Sequence, residues 1–99
     1  MILVHQLSAF YRKVESDKRI GGTHISLYMA MFLMWCIANC ESPLAITRQQ
    51  LMPLARISGL GTYHKCMKDL VAYGYIKYQP SPRPYSKSLV WLVILYDKD

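Results

Sequence analysis

Seven cations, Arg48, Arg56, Lys65, Lys68, Lys77, Arg83 and Lys87, fall between residues 44 and 96 against one carboxylate, Asp69, so this half of the chain carries a balance of +6. Residues 1–43 set Arg12, Lys13, Lys18 and Arg19 against Glu15, Asp17 and Glu41 at +1, and the tail Asp97-Lys98-Asp99 contributes −1. A basic half joined to a near-neutral half is the footprint of a surface that binds a polyanion. Other chemistry finds little support. There is no Ser/His/Asp set, no paired carboxylates and no phosphate-cradling loop, and Gly59-Leu60-Gly61 is too short for a nucleotide fingerprint. His5 and His24 read as ordinary helix residues. Cys36, Cys40 and Cys66 are odd in number and form no CxxC pair, as expected for free thiols in a reducing cytoplasm. Cys36 and Cys40 lie one helical turn apart, but a metal site needs two further ligands that the spacing of His24 and His64 does not supply. The expectation is a protein with no catalytic site, no metal and no cofactor.

The elements that position the cations can be read from periodicity. Thr47 and Gln50 form a capping-box pair at the start of a helix with Leu51, Leu54 and Ala55 as its inward stripe. Pro53 removes a hydrogen bond, so a kink is expected there, or a helix that begins later. Ile57-Ser58-Gly59 breaks this helix, and a second is expected from about Gly61 to Tyr73, stopped by Gly74. Tyr63, Met67 and Leu70 then face inward, while Gly61, Lys65, Lys68 and Ala72 face outward with His64 at the edge. Two short helices joined by a tight turn, the second amphipathic and basic outside, spell a helix-turn-helix over about residues 47–73. Residues 75–79 and 88–96 read as strands of a hairpin, joined by a loop stiffened by Pro80, Pro82 and Pro84 and carrying Arg83 and Lys87.

Upstream, Leu3, Leu7, Phe10 and Val14 align on one face of a helix over residues 2–15, which the charged run ending in Gly21-Gly22 terminates. A second helix is expected over about residues 23–40 with Thr23 as N-cap, followed by Pro43 and a short extended piece at residues 44–46. Residues 27–38 are apolar all round but number too few for a membrane span, which takes about 20 residues. No signal peptide is expected from the opening residues. With 53% hydrophobic and 18% charged residues, the 99-residue chain reads as one ordered domain, α+β and mainly α. Its apolar surplus on the second helix and on both faces of the last strand points to a homodimer through residues 1–40.

The order helix, helix, short strand, helix, helix, strand, loop, strand resembles the winged helix-turn-helix regulators. Ile57-Ser58, Thr62-Tyr63-His64-Lys65, Leu70 and Gly74-Tyr75-Ile76 look like their turn, recognition helix and entry to the wing, here about residues 75–96. More narrowly, the chain is similar to small bacterial winged-helix proteins encoded beside mobile elements, and such domains also open phage and plasmid replication proteins. The resemblance implies binding to double-stranded DNA. The N-terminal residues of a recognition helix approach base edges, which nominates Thr62, His64 and Lys65 for bases and Lys68 for phosphate. Gly59 and Gly61 allow close backbone approach near the helix N-terminus, Ser58 in the turn is a further candidate contact, and Arg48 is a candidate phosphate clamp. In the wing, Arg83 suits a narrow minor groove, with Tyr85, Ser86 and Lys87 as backbone contacts. A winged helix that contacts an acidic protein partner is the alternative, and it calls for a more apolar outer face on the second helix of the motif.

Overall fold

The computed structural model describes residues 1–83 and 86–97. It is an α+β fold of four helices and a three-stranded antiparallel sheet: α1 (Ile2–Glu15), α2 (Gly22–Ile37), β1 (Leu44–Ile46), α3 (Arg48–Ala55), α4 (Leu60–Ala72), β2 (Ile76–Gln79) and β3 (Ser88–Leu92). Tyr85, one of the nominated contacts, lies outside the described residues.

Three helices end in the same way. An amide two or three residues past the end bonds the carbonyl five positions back, around a residue of positive φ. In α2 this is Cys40 N–H to Trp35 O around Asn39, in α3 Ile57 N–H to Met52 O around Arg56, and in α4 Tyr75 N–H to Leu70 O around Gly74. The Gly74 stop was expected, whereas α3 turns at Arg56, before the anticipated Ile57-Ser58-Gly59. At its start α3 keeps the expected capping box, with Gln50 N–H to Thr47 Oγ1 at 3.2 Å and Thr47 N–H to Gln50 Oε1 at 3.1 Å. It therefore begins at Arg48 and carries Pro53 inside it at an exposed position. α2 is shorter than expected and is capped by Gly21 rather than Thr23, because His24 Nδ1 accepts the Gly21 N–H at 3.0 Å.

The sheet order is β1-β3-β2. Leu44 pairs with Val90, Ile76 with Leu92 and Tyr78 with Val90, so Leu44, Ile46, Ile76, Val90 and Leu92 share the core face. The last strand is shorter than the 88–96 read from composition. After Leu92 the chain leaves the sheet, Val93 N–H bonds Tyr75 O, and the segment docks on α1 through Gln6. Gln6 is fully buried, its amide donating to Tyr28 Oη and Val93 O at 2.9 Å and its Oε1 accepting Leu95 N–H at 3.0 Å. Nearby, Phe10 stacks flat on Tyr28 with ring centroids 3.8 Å apart.

α2 is the central element. Leu27, Tyr28, Ala30, Met31, Phe32 and Trp35 are buried by this chain alone, between α1 on one side and α3 and α4 on the other. Only a strip of α2 stays open, with Leu33 46% and Ile37 75% exposed. No described helix is long and apolar enough to cross a membrane. Leu54 does not join the inward stripe of α3 and is 52% exposed. Leu51 and Ala55 set the buried face, and at 100° per residue Leu54 falls about 100° round from Ala55 and off it.

Candidate nucleic-acid interface

α4 presents two faces, as its periodicity requires. Tyr63, Cys66, Met67 and Leu70 are buried, while Gly61, Thr62, His64, Lys65, Lys68 and Ala72 are exposed. The connection from α3 is anchored by buried Ile57 and leaves Ser58 and Gly59 in solvent. A side chain at Gly61 would meet nothing within 4 Å, so no internal crowding demands glycine there. Arg48 opens α3 and is exposed, as are Arg83, Ser86 and Lys87 in the β2–β3 loop.

Ser88 Oγ, at the start of β3, accepts the Ser81 N–H at 3.0 Å and lies 3.4 Å from Tyr78 Oη. Ser81 Oγ donates to Arg83 O at 2.8 Å and accepts the Arg83 N–H at 3.1 Å. These bonds hold the root of the loop against the sheet and leave the Arg83 guanidinium outside them. Between this root, the start of α3 and the start of α4 lies a cleft of about 360 Å³, with Arg48, His64 and Arg83 among its walls and no carboxylate in its lining. Of the nominated residues the fold thus gathers Arg48, His64, Arg83 and Ser86 at the cleft. Ser58, Gly59, Gly61, Thr62, Lys65, Lys68 and Lys87 lie outside its lining.

Lys65 is not free. Its Nζ lies 2.9 Å from Asp69 Oδ2, one turn along α4. The same oxygen lies 2.8 Å from His24 Nε2. Because His24 Nδ1 accepts the Gly21 amide, the ring hydrogen sits on Nε2 and is donated to Asp69. The His24 hydrogen bond first, and Lys65 next, hold the Asp69 carboxyl below the usual carboxylate range, and Asp69 in turn raises the Lys65 ammonium. By contrast Arg48, Arg56, Lys68, Lys77, Arg83 and Lys87 make no ion pair among the described residues.

The cleft contains residues that periodicity had sent elsewhere, Tyr63 to the core and Tyr78 to a strand. Tyr63 is buried on α4 yet lines the cleft, and burial pushes its hydroxyl up to about 12, so it stays a proton donor. The one available signal was the residue type: tyrosine rather than leucine at an inward position asks for a polar outlet. As a whole the site offers cations and hydroxyl donors and suits binding an anion. Among the described residues no group of three or more His, Cys, Asp or Glu side chains is placed to hold a metal ion. Compared with models of protein families, with curated proteins and with solved structures, the chain matches none.

Proposed function

We propose that the chain is a winged helix-turn-helix protein that binds double-stranded DNA in a sequence-dependent way, as a regulator of transcription or an accessory factor of a mobile element. α3 and α4 are the helix-turn-helix, and β2, its loop and β3 are the wing. The observation that carries this reading is that, of the seven cations between residues 44 and 96, Lys65 alone has an ion pair among the described residues, and the other six lie on α3, its C-cap, α4, β2 and the β2–β3 loop. Unpaired cations gathered on one half of a small protein raise the local potential for a polyanion. Thr62 and His64, exposed in the first two turns of α4, stand where a recognition helix meets base edges. Lys65 reaches a base or phosphate by leaving Asp69. A domain of this type that opens a replication protein would use the same surface.

The exposed strip of α2, with Ile2, Val4 and Tyr11 on α1, supports a homodimer through residues 1–40. Such a dimer would match a palindromic site with half-sites about 34–36 Å apart. A second reading has its own observation: Leu54, Leu60 and Val71 are exposed on α3 and α4 and would suit contact with a protein.

Titration of a random-sequence duplex pool across a salt series tests the proposal. Log affinity falls with log salt at about 0.9 per phosphate neutralised. Selection from that pool then enriches a motif, and Lys65→Ala relaxes it at one position by roughly tenfold. A flat salt response overturns the DNA reading in favour of the protein-contact one.

A further inference from the structure

Tyr63 combines two properties that rarely coexist. Only 2% of the residue is exposed, yet among the described residues its hydroxyl makes no hydrogen bond. Among the described residues no buried side-chain oxygen or nitrogen is both sealed and unpartnered, so the Tyr63 hydroxyl is not enclosed. Its accessible tip therefore opens into the cleft that the residue lines. Arg48 is close enough to act on that hydroxyl electrostatically, as is Tyr78.

The helix that starts at the same place adds donors. Thr47 caps the Gln50 amide, while the Arg48 and Gln49 amides have no backbone partner among the described residues, and both residues line the cleft. No acidic residue occupies the first turn of α3 to use the positive end of the helix. Opposite stands Ser88, whose hydroxyl already accepts from Ser81 and keeps its own hydrogen to give.

We propose that this cleft is a socket for one phosphate group, with the Tyr63 hydroxyl as its central neutral donor and Arg48 and Arg83 as its charges. The composition of the lining is the reason. Two guanidiniums neutralise the anion, and the hydroxyls and α3 amides of the lining residues donate to its oxygens, with no carboxylate in the lining to compete. Tyr63 thus becomes a binding residue where periodicity made it core alone. The phosphate comes either from a DNA strand, which rests on the function proposed above, or from a free nucleotide. The volume, about 360 Å³, admits a phosphate with part of its sugar.

Tyr63→Phe tests this while keeping the buried ring, and its melting curve verifies the fold. Wild type and variant are titrated with a duplex, with the same duplex bearing one neutral methylphosphonate at successive positions, and, by NMR, with inorganic phosphate and deoxyadenosine monophosphate. The expected result is a loss of roughly tenfold on the native duplex, as for a hydrogen bond to a charged group, that vanishes at one methylphosphonate position. If no duplex binds but phosphate or the nucleotide shifts the wild-type Tyr63 signals and spares the variant, the socket stands with a free ligand and the DNA reading falls. If the duplex binds both proteins equally and neither small anion perturbs Tyr63, the socket is overturned and the DNA reading survives. A tenfold loss that no methylphosphonate position removes overturns it too. If neither the duplex nor the small anions bind wild type, both readings fall.

Discussion

The two ends of the molecule use positive charge differently. Around α1 and the turn after it, Lys13 and Arg19 are tied to groups of this chain, while Arg12 and Lys18 are exposed. Lys13 Nζ donates to Gly74 O at 3.3 Å and sits 4.3 Å from the centre of the Tyr75 ring, so it closes the C-terminal end of α4. Arg19 grips Asp17 at 2.8 and 3.0 Å and lies over the Tyr73 ring, and Asp17 also accepts the Tyr75 hydroxyl at 3.0 Å. Around α3, α4 and the β2–β3 loop, Lys65 alone among the cations has an ion-pair partner among the described residues. Charge that is satisfied within the chain contributes to folding. Charge left unsatisfied contributes nothing to folding and is available for a ligand. Composition cannot separate the two, since both regions contain the same residue types.

The sharpest way to break this contrast is at Gln6, which ties α1 to the C-terminal segment. Gln6→Leu leaves the Tyr28 hydroxyl, the Val93 carbonyl and the Leu95 amide without their partner. The expected cost is about 3 kcal/mol, from the loss of satisfaction at several buried polar groups. Urea denaturation measures it, and the folded protein's affinity for duplex DNA stays at the wild-type value. A matching drop in affinity would mean that the two regions are not separable.

Next in size is the response to pH. The Arg19 side chain chiefly, with help from the Tyr75 hydroxyl, holds the Asp17 carboxyl well below its usual range. This contribution to stability is complete above about pH 4, the unfolded value, and is lost as pH falls below it. Burial pushes the Tyr28 and Tyr63 hydroxyls up to about 12. Their contribution is present below pH 10 and is lost as pH rises from there to about 12. Chemical denaturation at a series of pH values checks both flanks, and Asp17→Asn reduces the acid-side loss to the share that the Asp69 carboxyl, also held low, contributes.

A smaller pair of changes sets one cation of each kind against the other. Lys13→Ala lowers stability by about 1 kcal/mol, through the lost helix-end charge and ring contact, and leaves DNA affinity unchanged. Lys68→Ala leaves stability within about 0.5 kcal/mol and lowers the salt slope by about 0.9. Thermal melts and salt-series titrations read both; crossed outcomes would invert the assignment of the two faces.

The element order was legible because each signal was local: the stripe of α1, the capping box of Thr47 and Gln50, the Gly74 stop. What escaped depended on contacts distant in sequence. Gln6 looks like any polar helix residue until Val93 and Leu95 arrive 87 and 89 positions later. The inward face of α3 could not be read from eight residues, so Leu54 was misplaced. The Arg56 turn uses a left-handed residue of a type that carries no sign of it, where Asn39 and Gly74 do. At the candidate site, the outward arc of α4 followed from 3.6-residue spacing. The cleft did not, because it is made where three separate elements meet.

Asp69 holds Lys65 on α4 and His24 at the start of α2 with a single carboxylate oxygen. Asp69→Asn separates its two roles. An asparagine carbonyl still accepts the His24 Nε2 hydrogen, so the link between α4 and the cap of α2 survives. The same carbonyl is neutral and releases Lys65, and it removes the sole acid between residues 44 and 96. DNA affinity is expected to rise a fewfold, with a salt slope steeper by about 0.9 as Lys65 takes up one more phosphate. Stability moves little, because an exposed i, i+4 pair contributes little to folding. The decisive control is the double variant Asp69→Asn with Lys65→Ala. If the gain comes through Lys65, it disappears there; if it persists, Asp69 opposes DNA by its charge alone and Lys65 is not a contact.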